Sequence, residues 1–239
     1  MKHLPFIAFL LIGFSLNAQN SVNSTSFSEA DTLFMTKLTG EFYFPKPKHI
    51  GEIFYNNAWA TSTLLLSTGE KLQGEKIKYE EHLDQVIWLN TSNFTQFILD
   101  KSLIDAFWMK DNFDKSVYFK KIIVSDSTES KRKELFIEVL VEGKLALFIH
   151  HQVISLPNET EYVDHGQYAI NAYGFKPIYY IKLPDGRYLK LQKLSRNAFL
   201  NLFPDRKEYL SNLMRTKHLN VHTVSNLAET IKGINESDF

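Results

Sequence analysis

The stretch Leu135-Phe136-Ile137-Glu138-Val139-Leu140-Val141-Glu142-Gly143-Lys144-Leu145-Ala146-Leu147-Phe148-Ile149 decides the architecture. Leu135, Ile137, Val139 and Val141 recur every second residue, which places them on one face of a strand. Glu142-Gly143 is a turn signal between apolar runs. Leu145, Leu147 and Ile149 then share a face of the returning strand. The reading is an antiparallel hairpin running from Leu135 to Ser155.

The same pattern extends in both directions. Downstream, Lys176 to Lys193 forms a second hairpin that turns at Pro184-Asp185-Gly186. Proline presets the backbone of such a turn, and glycine accepts the positive φ. Upstream, Trp59 to Ser67 runs into Thr68-Gly69, and Leu72 to Glu80 follows. There Ile77 and Tyr79 alternate with Lys76 and Lys78, as in a strand with one wet face. Gln85 to Leu89, Phe94 to Leu99, Leu103 to Met109 and Val117 to Ser125 continue the series. Helices do not alternate with these strands, so a parallel nucleotide-binding sheet is not expected. The expected fold is mainly β (α+β overall), a curved antiparallel meander forming a sandwich or partial barrel.

About three short helices are expected at the C-terminus. Ser195 can cap a helix carrying Ala198, Phe199, Leu202 and Phe203, and Pro204 opens the next. Tyr209, Leu210, Leu213 and Met214 give that second helix an apolar stripe. Thr223 can cap a third, with Val224, Leu227, Ala228 and Ile231 at helical spacing. The expected organisation is a β domain over residues 51–193 and a helical appendix over 194–239, packed on it. Residues 19–50 are a partly disordered lead, with Phe44-Pro45-Lys46-Pro47-Lys48 as a proline-rich loop.

The N-terminus points to export. Lys2 and His3 precede an apolar run from Leu4 to Phe14, broken only by Pro5 and Gly13. That run is short of the about 20 residues a spanning helix needs. With Ser15-Leu16-Asn17-Ala18 before Gln19, it reads as a signal peptide over residues 1–18, cleaved between Ala18 and Gln19. The expected location is therefore periplasmic or extracellular, with no transmembrane segment in the mature chain.

Composition narrows the classes further. The chain has no cysteine, which excludes a disulfide framework, thiolate metal sites, a cysteine nucleophile and an N-terminal lipid anchor on cysteine. With 44% apolar residues, it must instead be held by burial. Basic and acidic residues number 27 each; loss of Lys2 with the signal leaves 26 against 27, a net of −1. Such a balance does not suggest a nucleic-acid partner. The local cluster Lys131-Arg132-Lys133, after Ser125 to Ser130, reads as a solvated hairpin loop.

Candidate chemistry is sparse. His150 and His151 are neighbours on a strand and so point to opposite faces, while Asp164-His165 lies in a loop that could approach one of them. A zinc site from these residues would need a tighter spacing signature than they show. His218 and His222 fall between two helices. Glu80-Glu81 and Asp84 sit near a hairpin turn, where solvation accounts for them better than catalysis. There is no G-x-S-x-G elbow. Aromatics such as Phe42, Phe44, Trp59, Trp108 and Tyr180 read as core, with some able to line a groove for an apolar or sugar ligand. No catalytic, cofactor-binding or metal-binding residue is assigned.

Several of these stretches occur together in one group of proteins: Leu16-Asn17-Ala18 before Gln19, Gly51 to Trp59, Thr68-Gly69, Lys78-Tyr79, and Phe136 to Leu145. The ending carries most: Tyr180 through Gly186-Arg187, then Leu202-Phe203-Pro204-Asp205-Arg206-Lys207 to Lys217-His218-Leu219. In these the chain resembles a diffuse group of uncharacterised secreted β-rich proteins of Bacteroidota. The resemblance implies export and a β scaffold, and transfers no activity. The expected function is a non-catalytic envelope or secreted binding or interaction protein, its partner an unknown protein or small ligand. A hydrolase of envelope or extracellular polymers is the alternative.

Overall fold

The computed structural model describes residues 38–125, 132–163 and 166–237. The signal segment, the cleavage point, Lys131 and the Asp164-His165 loop lie outside the described residues. Leu38 to Phe239 belong to one compact unit.

The first strands are β1 (Gly40–Phe42), β2 (His49–Ile50), β3 (Ala60–Leu66), β4 (Lys71–Glu80), β5 (Gln85–Asn90), β6 (Thr95–Leu99) and β7 (Ile104–Lys110). The rest are β8 (Ser116–Ser125), β9 (Arg132–Val141), β10 (Ala146–His150), β11 (Val153–Val163), β12 (Gly166–Phe175), β13 (Ile178–Lys182) and β14 (Tyr188–Leu191). Eleven of them form one sheet in the order β1-β6-β5-β4-β3-β7-β8-β9-β10-β13-β14. Every neighbouring pair in it is antiparallel. The sheet does not close into a barrel: β1 and β14 are its edges. β11 and β12 leave the meander and make a second sheet, with β2 parallel to β12. That excursion is why β13 pairs with β10.

Two strands, β1 and β2, lie upstream of Gly51, and Leu38 is buried in the core. The β region therefore begins earlier than the composition shift at Gly51 indicates. The long β11–β12 ribbon also went unread in the sequence, because Pro157, Asn158 and charged residues interrupt its alternation. A register shift between Leu156 and Glu159 accommodates that break.

The defining hairpin is present with one adjustment. Leu135, Ile137 and Val139 share a face with Phe148 and Tyr180. Val141 does not join them; it packs with Leu147 and Ile149 on the opposite face. A register shift on β10 at Leu147/Phe148 inserts an extra residue in β9, and the bulge turns Val141 over.

The sheet thus has an inner face with two apolar clusters. One centres on Ile77 and the rings of Tyr79, Phe107, Phe119 and Phe136, in which Tyr79 and Phe107 each pack against the other three rings at 4.8 to 6.3 Å between centres. The other is made by β9, β10, β13 and β14 with the C-terminal helices. These helices are α1 (Arg196–Asn201), α2 (Lys207–Thr216) and α3 (Val224–Asn235). Ser195 and Thr223 cap α1 and α3, their hydroxyls accepting from the N–H groups of Ala198 and Asn226. A 3-10 turn at Pro204–Arg206 leads into α2. Phe199, Leu210, Met214, Leu227 and Ile231 are fully buried against the sheet. Each such side chain contributes about 1.5–3 kcal/mol.

Asn235 fastens α3 to the β9–β10 turn. Its Oδ1 accepts from the Leu145 N–H and its Nδ2 donates to the Leu145 carbonyl, both at 2.8 Å. Gly143 leaves room for it: a Cβ there would sit 2.5 Å from Asn235 Nδ2. Asn235→Ala should leave both backbone groups of buried Leu145 without partners and cost about 2 kcal/mol in urea unfolding. An unchanged midpoint would show that this clamp contributes nothing.

Candidate functional site

Titratable groups converge at the turn between β4 and β5. This turn carries Glu80, Glu81, His82 and Asp84, and the three carboxylates are buried there rather than solvated. The sequence reading of Glu80, Glu81 and Asp84 as a wet turn is thus corrected. Its cause is the segment around Ile53 to Tyr55, which folds along the end of β4. Glu81 N–H donates to the Ile53 carbonyl, and Tyr55 N–H to that of Tyr79. Once covered, each carboxylate must find a protein partner.

Each one does. Glu80 pairs with Lys46 from the proline-rich loop and accepts from Gln85 Nε2 at 2.7 Å. Asp84 sits at φ 53°, a left-handed conformation that aspartate tolerates. It accepts from the Tyr79 hydroxyl at 2.7 Å and from the Phe136 N–H at 3.2 Å, and it pairs with Lys101. Burial still raises its pKa; Lys101 and the hydrogen bonds oppose this without overcoming it.

Glu81 faces His151. The ring stands between two carboxylates: Nδ1 is 3.4 Å from Glu81 Oε1, and Nε2 is 2.6 Å from Glu138 Oε2. Tyr55 packs edge-on against the same ring at 4.9 Å. Burial, then the nearby Glu138 charge, pushes Glu81 up to about 8. Glu81 is therefore largely protonated at neutral pH. Burial and the same carboxylates push the Tyr55 phenol upward. The cluster is nearly closed, with side chains 8 to 14% exposed.

His150 has a different environment. Strand alternation puts it on the outer face, in line with Ala146 and Phe148. It is buried, and neither ring nitrogen has a hydrogen-bond partner among the described residues. Burial, then the nearby charges led by Lys133, lowers its pKa to about 3. His150 and His151 are thus a neutral orphan and a carboxylate-bonded ring, held on opposite sides of the sheet. Asp164 and His165 lie outside the described residues. Among those described, no group of three or more His, Asp or Glu could hold a metal ion. His218 and His222 lie between α2 and α3; His218 takes φ 54° just past the end of α2.

Aromatic residues divide as their strand positions dictate. Phe107 and Phe119 are core, while Trp108 and Tyr118 stack at 4.6 Å on the outer face. Lys78, also outer, lies between Phe54 and Trp59 at 5.2 and 5.0 Å from the ring centres. On the inner side, Phe42, Phe97 and Trp88 form a ladder across β1, β6 and β5. Trp88 Nε1 donates to Glu75 at 2.6 Å. Phe42 is 62% and Phe44 81% exposed, so this sheet edge presents aromatic surface, as do Phe94 and Phe113 in turns.

Several clefts open elsewhere. One of about 610 Å³ lies beside β1 and the β4–β5 turn, with Glu41, Asp84, Asp100 and Lys101 in its wall. One of about 410 Å³ lies on the outer face at the β9–β10 and β13–β14 turns. Among the described residues, no helix is long and apolar enough to cross a membrane. The chain matches no family model, no curated protein and no solved structure.

Proposed function

We propose that the protein is an exported, non-catalytic binding or interaction protein of the cell envelope or extracellular space, one of the secreted β-rich group of Bacteroidota that its sequence resembles. One observation carries this reading: the titratable groups that converge are spent on one another. Both nitrogens of His151 face carboxylates, Asp84 is held by three donors, and Glu80 by two. A general base needs a free acceptor within reach of a substrate proton. Such a network holds a turn in place instead. The chain also exposes large aromatic side chains such as Phe42, Phe44 and Phe113, which suits recognition.

The test compares the wild-type chain with Glu138→Gln on envelope and extracellular polymers. Turnover should stay at background for both. Polymer cleavage that Glu138→Gln abolishes without changing the melting temperature would establish the hydrolase reading instead. Crosslinking in cells that produce the protein, followed by mass spectrometry, then identifies what the surface engages.

A further inference from the structure

The outer face of β8, β9, β10, β13 and β14 has a one-sided charge pattern. The registers place Lys120, Lys133, Lys182 and Lys190 on it, among Tyr118, Ile122, Leu135, Ile137, Phe148 and Tyr180. No carboxylate occupies a strand position on this face of these five strands. Glu134 and Glu138 fall on the other side by alternation. Other lysines nearby are paired, Lys121 with Asp105, Lys101 with Asp84 and Lys110 with Asp114.

Three cations meet at a concavity here. The cavity of about 410 Å³ is walled by Lys120, Lys144 and Lys182, with Ala146 and Phe148 as an apolar floor. Glu142 is its single acidic residue, leaving a local charge of two positives. None of these three ammonium groups has an ion pair or hydrogen bond among the described residues. The turn that presents Glu142 and Lys144 is held by Asn235, so the pocket wall is fixed by α3. Two residues along the same face of β10 stands His150, whose ring nitrogens have no hydrogen-bond partner among the described residues.

We propose that this pocket binds a phosphoryl group carried on an apolar or aromatic body. The proposal rests on the binding reading above and names its ligand class. A phosphate monoester bears about −1.5 to −2 charges at neutral pH, matching the net charge of the wall. A concave site lined by one sign of charge concentrates such an anion. Phe148 and Ala146 receive the body, which inorganic phosphate lacks. A soluble phosphate ester and a lipid headgroup share this chemistry.

The experiment titrates the full mature chain with phenyl phosphate, inorganic phosphate and phenol, followed by NMR shifts of the Gly143 and Lys144 amides. A parallel arm measures sedimentation with vesicles containing phosphatidic acid against neutral vesicles. Phenyl phosphate should bind saturably and more tightly than inorganic phosphate. Lys120→Gln and Lys182→Gln should each weaken it by about tenfold, with the melting temperature unchanged. Vesicle binding lost in the same variants assigns the headgroup as the source; binding of the soluble ester alone assigns a free ester. No saturable binding in either arm, or binding indifferent to both lysines, overturns the pocket and leaves the non-catalytic reading standing. Release of inorganic phosphate from phenyl phosphate would overturn the non-catalytic reading instead.

Discussion

Glu81→Gln should abolish a loss of stability that the wild-type protein shows on going from mildly acidic to mildly alkaline pH. The carboxyl is held protonated in the folded protein, at about 8 against an ordinary 4.5, by burial and by Glu138. Its folded value is raised, so its stabilising contribution is complete below 4.5 and is lost as pH rises through 8. His150 acts in the opposite sense. Its folded value is lowered to about 3 from 6.5, so stability is lost as pH falls from 6.5 towards 3. Between 4.5 and 6.5 the two slopes cancel, leaving a plateau. Between 6.5 and 8 Glu81 acts alone of the two, and urea unfolding should show a fall of about 2 kcal/mol. Glutamine carries no proton to lose, and that fall should vanish. His150→Phe should leave the fall between 6.5 and 8 unchanged, flatten the arm below 4.5, and turn the plateau between them into a fall due to Glu81 alone. An equal alkaline slope in wild type and Glu81→Gln would show that burial and Glu138 do not hold the carboxyl neutral.

Much of the fold follows from two-residue alternation and turn chemistry. Leu135 to Val139, Leu145 to Ile149, Ile77/Tyr79 against Lys76/Lys78, and Pro184-Asp185-Gly186 all lie where their periodicity puts them, because burial of one sheet face enforces that period. The helix caps at Ser195 and Thr223 are equally local, and equally readable. Three features were not. Val141 changes face at a bulge, and a bulge leaves no mark in hydropathy. The β11–β12 ribbon has so many exposed side chains that no apolar period survives. The polar cluster was hidden for a different reason. Glu81 follows β4, Glu138 lies on β9, His151 follows β10 and Tyr55 precedes β3, and only the folded sheet brings these four separate stretches together. Glu80-Glu81 looks solvated in sequence because a charged turn usually is. The clue was the cover: Phe54-Tyr55 and Trp59 form an aromatic segment with no strand pattern of its own, which must lie against something.

Asp84→Ala should be the most damaging single substitution in this cluster, at about 3–5 kcal/mol in chemical unfolding. Three donors lose one acceptor at once. The Tyr79 hydroxyl, wholly buried between Phe107, Phe119 and Phe136, has its 2.7 Å partner removed. The Phe136 N–H is on β9, five strands from β5 in sheet order, and Asp84 is its link to the β4–β5 turn. Lys101, whose ammonium also lies 4.9 Å from the Phe136 ring centre, loses its counter-charge. Alanine must in addition adopt φ 53°, where a Cβ is strained. Asparagine separates these causes. It keeps an acceptor for Tyr79 and accepts the left-handed backbone, and forfeits only the charge; Asp84→Asn should therefore cost about 1–2 kcal/mol. Tyr79→Phe combined with Asp84→Asn should be less damaging than the sum of the two, with a coupling of about 1 kcal/mol between groups in direct contact. A cost below about 1 kcal/mol for Asp84→Ala would mean that water reaches the turn and replaces the lost acceptor. That outcome would also reopen the catalytic reading, since a wet, exchangeable carboxylate cluster is what an acid–base enzyme requires and a dry clamp is not.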